Sequence, residues 1–400
     1  WWMKNRFSGR GEGRDKSQEA CLRQAGKRRE TRTKTRCCWK KKPATDQRLV
    51  IPIHHSKISV QHSTLVTLLV FSSSYFQFPS FPYLYLMNFP SLSDISAAHA
   101  RIQPFIHRTP ILTSEAIDAI AGCSIFFKCE NFQKVGAFKA RGAANAVMKL
   151  TDVQRAKGVA THSSGNHAAA LARAATVAGI PSYIVMPSNA PEIKKKAVKG
   201  YGGEIIECEP NLKARETSLE AEVARTGAAF IPPYDHLDVI EGQATCALEF
   251  IEDQSDLDIL MAPVGGGGLL GGTALVAHYL NPNLEIIAGE PAGADDAYRS
   301  FHAGYLIPQT GPMTIADGLL TSLGTLNFAL IQAHVRDILL ATDPQIIEAM
   351  RLVYERMKII IEPSCAVPLA ALLANKERFS GKKVGIILSG GNVDLGKLPF

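Results

Sequence analysis

Lys139 stands in Gly136-Ala137-Phe138-Lys139-Ala140-Arg141-Gly142, at the start of a predicted helix. The positive end of a helix and burial both push an amine towards its neutral form. A neutral amine forms an imine with an aldehyde and can afterwards act as a base. A lone helix lysine is ordinarily a surface residue, and only its company changes that reading. The company is three glycine-rich turns: Ser163-Ser164-Gly165-Asn166-His167, Gly265-Gly266-Gly267-Gly268 and Ser389-Gly390-Gly391-Asn392. Each follows a short apolar run, and the first two open helical patterns, as in open α/β sheets that hold anions on helix N-termini. A lysine beside such cradles points to an aldehyde cofactor with a phosphate tail, which is pyridoxal 5'-phosphate chemistry.

Four consecutive glycines, Gly265, Gly266, Gly267 and Gly268, let backbone N–H groups reach a phosphate with no side chain in the way. There is a competitor. Gly266-x-Gly268-x-x-Gly271, followed by Glu290 at the end of the next strand, also fits a nicotinamide-binding βαβ unit. That reading leaves Lys139 and the two other turns without a purpose. Ser163 to His167 would present N–H groups to a substrate carboxylate. Asn166 could donate to a phenolate oxygen on a cofactor ring. The hydroxyl of Ser164 could exchange a proton with a substrate carbon, and Ser163 could serve as a helix cap. Ser389, opposite a pyridine nitrogen, would offer a neutral hydrogen bond and leave the ring a weaker electron sink. Such a ring favours proton transfer or loss of a β-leaving group.

These residues need a scaffold, and the pattern from Ser91 onwards supplies one. Helices are expected over 94–103 (capped by Ser91 or Ser93), 138–150, 167–178, 190–200, 212–226, 242–254, 269–280, 345–356 and 368–374. Strands are expected over 125–129, 158–161, 182–186, 204–207, 229–231, 259–264, 285–289 and 384–388. Alternation of this kind implies mostly parallel sheets joined by crossovers. The βα units from 158 to 231 could form a small domain of their own.

Charge divides the chain. Residues 1–86 carry 17 Lys/Arg against 5 Asp/Glu, which leaves 27 against 32 for the rest. The body is therefore mildly acidic, and the formal net charge of +7 gives it no nucleic-acid signature. Its five cysteines show no metal spacing and read as reduced thiols. The apolar run 65–71 is too short to span a bilayer, and the basic stretch before it is too long for a signal peptide. Glu12, Asp15, Glu19 and Glu30 argue against a transit peptide, although organelle targeting stays open. Residues 1–86 are expected to be disordered or foreign to the native chain, with Met87 as its start.

Six motifs between Ser91 and Asp394 together resemble the fold type II pyridoxal-phosphate enzymes, and within them the serine/threonine dehydratase branch. They are His107-Arg108-Thr109-Pro110, Phe138-Lys139-x-Arg141-Gly142, Thr161 to His167, Ile315-Ala316-Asp317-Gly318, Ile361-Glu362-Pro363-Ser364 and Leu388-Ser389-Gly390-Gly391-Asn392. The resemblance implies a tryptophan synthase β-like α/β fold with two open, twisted, mostly parallel sheets. Residues 87–157 and 232–400 would form the large domain and 158–231 the small one.

It further implies that Lys139 carries the cofactor, that Phe138, Asn166, Gly265 to Gly268 and Ser389 contact it, and that Ser163, Ser164, Gly165, Asn166 and His167 bind the substrate. Threonine dehydratases of the branch typically carry alanine where this chain has Ser164. Lys139 on one face of the substrate Cα and Ser164 on the other would allow racemisation. The implied activity is interconversion of L- and D-serine with β-elimination to pyruvate and ammonia. The alternative is dehydration of L-threonine, L-serine or 3-hydroxyaspartate without racemisation. Glu290-Pro291-Ala292-Gly293-Ala294-Asp295-Asp296 resembles the branch's cation site, with Glu290, Asp296 and the Ala294 carbonyl as oxygen ligands for Mg²⁺, Ca²⁺ or Mn²⁺. Ala137 replaces a frequent serine. Ala169 and Val135 stand where animal members carry a glutamine and a polar residue near a nucleotide site, so activation by ATP stays open. A cytoplasmic homodimer without a regulatory domain, nucleic-acid partner or membrane partner completes the expectation.

Overall fold

The computed structural model describes residues 88–400, so the expectations for the basic arm and for Met87 lie outside the described residues. The chain enters with α1 (Leu92–Ile102), whose first turn is closed by a reciprocal capping box between Ser91 and Asp94. It continues through β1 (Ile111–Leu112), α2 (Glu115–Ala121), β2 (Ser124–Cys129), α3 (Lys139–Met148) and α4 (Asp152–Lys157). A run of βα units follows: β3 (Val159–His162), α5 (Asn166–Ala178), β4 (Ser182–Pro187), α6 (Glu192–Gly200), β5 (Glu204–Cys208), α7 (Leu212–Thr226) and β6 (Ala229–Phe230). The long α8 (Leu237–Asp253) leads to β7 (Ile259–Pro263), α9 (Gly268–Leu280), β8 (Glu285–Pro291), α10 (Asp296–Ala303) and α11 (Thr325–His334). The last elements are β9 (Asp337–Ala341), α12 (Asp343–Met357), α13 (Pro363–Ala374), α14 (Lys376–Phe379) and β10 (Lys383–Leu388).

The strands form two sheets. One has six strands in the order β1-β2-β10-β7-β8-β9, parallel except for the β1–β2 pair. The other has four parallel strands in the order β5-β4-β3-β6. All strands of the second sheet fall within residues 158–231. In the six-stranded sheet the period of two is clean. Leu260, Ala262, Ile286, Ala288 and Ile387 pack under α8, α9 and α11. Ile259, Met261, Ile287, Val384, Ile386 and Leu388 pack under α12 and α13. Both faces are covered, and the central β7 is accordingly apolar and buried at every position, as interior parallel strands are.

Helix α5 lies in a third cluster with α3 and the second sheet, and it brings Ala168, Ala169, Ala170, Ala172, Ala174 and Ala175. Small side chains let helix and sheet approach closely. Glycines do the same between helices. A Cβ at Gly242 of α8 would lie 2.7 Å from the Gly142 Cα of α3, and one at Gly272 of α9 would lie 3.0 Å from the Ala244 Cα of α8. Three helices are thereby drawn together.

Two expected helix starts move. The helix read from 242 begins at Leu237, and the one read from Pro368 begins at Pro363, with Pro368 inside it. Pro363 takes the first-turn position, where a missing N–H is harmless. Pro368 sits where the helix crosses β8, its Cα 2.7 Å from where a Gly289 Cβ would be.

Candidate active site

In a parallel sheet the crevice beyond the carboxyl ends of the strands is where ligands bind. Reading across β2, β10, β7 and β8, those ends carry the segment leading to Lys139, then Ser389, then Gly265 to Gly268, then Glu290. β10 pairs with β2 in register from Lys383↔Ser124 to Leu388↔Cys129, which sets Ser389 just past the end of β2. The two turns are then stitched together. Phe138 N–H donates to the Ser389 carbonyl at 3.0 Å, Gly391 N–H to the Gly136 carbonyl at 2.9 Å, and Asn392 Nδ2 to the Val135 carbonyl at 2.7 Å. Ser389 itself is buried.

Lys139 is the first residue of α3, and its Nζ donates to the Pro233 carbonyl at 2.6 Å. Burial lowers its pKa from 10.5 to about 8. Roughly a tenth of the amine is then neutral at pH 7, against well under a thousandth for a free lysine. Two residues on, Arg141 is fully buried and pairs with Glu130 and Glu249, both at 2.8 Å, while Lys128 joins Glu249 at 2.9 Å. This network clamps α3 to β2 and α8 and so sets where Lys139 emerges. Val135, just upstream, holds a left-handed backbone (φ 55°), a strained state for a β-branched residue.

The serine turn leaves β3 and enters α5. The cap position is Gly165 rather than either serine, and no side chain caps the helix, so its first N–H groups face the crevice. Ser163 Oγ accepts from Gly165 N–H at 3.4 Å. Ser164 lies beside it, partly exposed. Asn166 donates from Nδ2 to Glu362 Oε1 at 2.8 Å and accepts from Asn392 Nδ2 at 2.9 Å, which ties the serine turn to the Ser389 turn. His167 turns inwards. Its Nε2 lies 3.0 Å from the Ile231 carbonyl, and burial, helped by Lys139, lowers its pKa to about 3. Its imidazole is neutral, and the backbone of this residue is what reaches the helix mouth.

Gly265 to Gly268 are all buried between β7 and α9, with Gly267 left-handed at φ 90° as the helix cap. Side chains press on the loop from outside. A Cβ at Gly266 would lie 2.3 Å from the Tyr234 ring, and one at Gly267 would lie 2.7 Å from Asn327 Cβ. Only glycine fits, and a phosphate cradle is what such a bare loop provides. A cavity of about 280 Å³ adjoins it, lined by His162, Pro233, Tyr234, Asp235, Leu323 and Gly324 among others.

Sequence reasoning gave no role to Glu362 or Tyr234. Glu362 is buried under the Ser389 turn, where burial and then Asp317 raise its carboxyl to about 7. It belongs to one of the motifs singled out above, but nothing local shows that it meets Asn166.

Glu290, Ala294 and Asp296 are all buried. Among the described residues no cluster of three or more His, Cys, Asp or Glu forms a metal cage. The two carboxylates do come together. Glu290 accepts from Ala297 and Tyr298 N–H at 2.8 and 2.7 Å, and Asp296 from Leu323 N–H at 2.8 Å. Burial raises both pKa values, Glu290 to about 9 with Asp296 and Asp295 adding to the rise, while Arg299 offsets part of it at Asp296. The one nearby ion pair among the described residues is Arg299 on Asp295. Two buried carboxylates whose charge Arg299 offsets only in part fit a divalent cation. Glu290, engaged at the start of α10, is also unsuited to the ribose contact that a dinucleotide site requires.

The chain belongs to the pyridoxal-phosphate dependent enzyme family, whose model matches residues 102–390. Its two sheets are those of the fold type II architecture. It is 52% identical over 314 residues to the beta-hydroxyaspartate dehydratase of Paracoccus denitrificans, covering 78% of this chain and all of that one. It is 50% identical over 310 residues to the serine racemase of Arabidopsis thaliana, covering 76% and 94%. The crystal structure of serine racemase from Dictyostelium discoideum matches with a TM-score of 0.73 at 48% identity, over 76% of this chain and 99% of that one.

Proposed function

We propose that this chain interconverts L- and D-serine and also eliminates water from serine, giving pyruvate and ammonia. The carrying observation is Lys139 Nζ, its pKa lowered to about 8, at the same sheet edge as the bare Gly265 to Gly268 loop. In this reading Lys139 would hold pyridoxal phosphate, with Gly265 to Gly268 for its phosphate, Phe138 and Asn166 for its ring and Ser389 for its ring nitrogen. Bound there, the cofactor supplies an electron sink for the substrate Cα. Asn166 and His167 would offer the free N–H groups at the start of α5 to the substrate carboxylate, with Ser163 and Gly165 completing the turn around it. Lys139 Nζ takes the Cα proton, and Ser164 Oγ returns one to the opposite face. Departure of the protonated β-hydroxyl as water instead, followed by hydrolysis of the dehydrated amino acid with one water, gives pyruvate and ammonia.

Glu290, Asp296 and the Ala294 carbonyl would hold Mg²⁺, or Ca²⁺ or Mn²⁺. Residues 158–231 are taken as the small domain and 87–157 with 232–400 as the large one. A cytoplasmic homodimer is part of the reading. Ala169 and Val135 are buried apolar residues of one cluster, and activation by ATP stays open. Among the described residues no helix is long and apolar enough to cross a membrane.

A second reading is favoured by the 52% identity to the Paracoccus dehydratase: elimination from 3-hydroxyaspartate without racemisation. The test gives the full chain pyridoxal phosphate, Mg²⁺ and L-serine, then follows D-serine by chiral chromatography and pyruvate in the same sample. Both products support the first reading. Pyruvate alone, or turnover of 3-hydroxyaspartate only, moves the assignment to the second. In Ser164→Ala, D-serine output should vanish while pyruvate partly persists; unchanged D-serine would remove Ser164 from the mechanism.

A further inference from the structure

Gln243 lies in the middle of α8, between α3 and α9. Its Cγ is 3.0 Å from where a Gly142 Cβ would be, and its Oε1 is 2.5 Å from where a Gly268 Cβ would be. The side chain is 0% exposed, and neither its Nε2 nor its Oε1 has a hydrogen-bond partner. Each orphaned group of this kind costs about 1–3 kcal/mol, so a partner for the amide is missing. Gly268 opens the 13-residue α9, whose unpaired N–H groups converge on the same place. The other side chains that crowd the four glycines are Tyr234, Leu319, Leu323, Asn327 and Ile331, none of them cationic.

We propose that Gln243 is a side-chain donor to the cofactor's phosphate, completing a site otherwise built from backbone N–H groups. The inference rests on the reading that the phosphate sits at Gly265 to Gly268. Either end of the amide can be turned inwards, since a half-turn about its last bond exchanges O and N. With Nε2 inwards it donates to a phosphate oxygen. A neutral amide does this without adding a second positive charge beside Lys139. Gly142 and Gly268 are the positions that make room for it.

The test uses the full-length protein stripped of cofactor. Pyridoxal phosphate is titrated by absorbance into wild type, Gln243→Leu and Gln243→Glu, the ³¹P spectrum of the bound phosphate is recorded, and urea unfolding of each cofactor-free protein is measured. Loss of a charge-assisted hydrogen bond should raise Kd at least about tenfold in Gln243→Leu. Gln243→Glu should weaken binding further, because a carboxylate repels the phosphate. The ³¹P shift should move in both, and cofactor-free Gln243→Leu should be no less stable than wild type. If Gln243→Leu fails to fold, Gln243→Asn, one methylene short, takes its place with the same readouts. Wild-type Kd and ³¹P shift in the variants would overturn the inference while leaving the glycine-loop site intact. Wild-type protein that takes up no pyridoxal phosphate, or whose uptake survives Gly266→Ala undiminished, would overturn the underlying site as well.

Discussion

Lys139→Met should stabilise the cofactor-free protein at neutral pH while abolishing turnover. In the folded chain the pKa of Lys139 falls from 10.5 to about 8 through burial. A folded-state pKa below the unfolded one means that folding must discharge the amine or bury its charge. That penalty is fully present below pH 8, shrinks as pH rises from 8 towards 10.5, and is gone above. A displacement of roughly two and a half pH units, at about 1.4 kcal/mol each, makes it about 3 kcal/mol. Methionine has a similar shape and no charge. It forfeits the bond to the Pro233 carbonyl, which costs about 1 kcal/mol. The variant should therefore be more stable by about 2 kcal/mol at pH 7, with the gap closing by pH 10. His167 is neutral throughout this range and drops out. Urea unfolding of both proteins at pH 7 and pH 10 reads the effect. Groups common to both, such as ionising tyrosines, cancel in the difference. A gap of the same size at both pH values would refute the reasoning, because the lysine would then not be desolvated.

Arg141→Leu should cost about 3–5 kcal/mol in urea unfolding, since it leaves Glu130 and Glu249 buried with only Lys128 between them, and Arg141→Lys should recover only part because it lacks the planar fork. Gly266→Ala should sharply reduce cofactor uptake, read by absorbance, because its methyl would sit 2.3 Å from the Tyr234 ring, and adding Tyr234→Ala should restore part of it. Saturating Mg²⁺, at about 100 times its Kd, should add about 2.7 kcal/mol of stability to wild type in thermal unfolding, and Asp296→Asn should remove that increment.

Much of the fold was legible because the signals are local. β7 and β10 read as unbroken apolar runs because they are covered on both faces. α5, α7 and α12 read from their periodicity and their ends. Some elements that escaped carry only short local signals, such as the six-residue α4 with its Thr151–Gln154 capping box, and one is organised from a distance. α11 begins at Thr325 because Asp235, some ninety residues earlier, accepts from Thr325 and Leu326 N–H at 3.0 and 2.9 Å. The start of α10 is held by Glu290, seven and eight residues before the N–H groups that donate to it. Nothing in the sequence beside Thr325 announces the cap of α11, and the strand β9 after it is only five residues long. The candidate site divides along the same line. Glycine loops and a lysine at a helix start carry their chemistry in the backbone, so spacing alone exposes them. Glu362 and Tyr234 matter only through what they touch, and the partners of Glu362, Asn166 and Asn392, lie far away in sequence.

Helix α8 explains why those distant residues meet. It holds none of the motifs that flagged the site, yet it touches both halves of the machinery. Gly242 lets α3 come within backbone contact, which brings the lysine helix in, and Ala244 lets α9 do the same at Gly272, which brings the glycine-loop helix in. Between these two residues stands Gln243, the one long polar side chain in that stretch, and it has nowhere to point but the gap between the two helix starts. Glu249, two turns further along the same helix, receives Arg141 and Lys128 and prevents α3 from rotating. A helix that packs by glycine contact at one end and by buried charge at the other is held in both position and rotation. Two helix N-termini more than a hundred residues apart in sequence are thereby kept in fixed relation, as the proposed cofactor held on both of them would require.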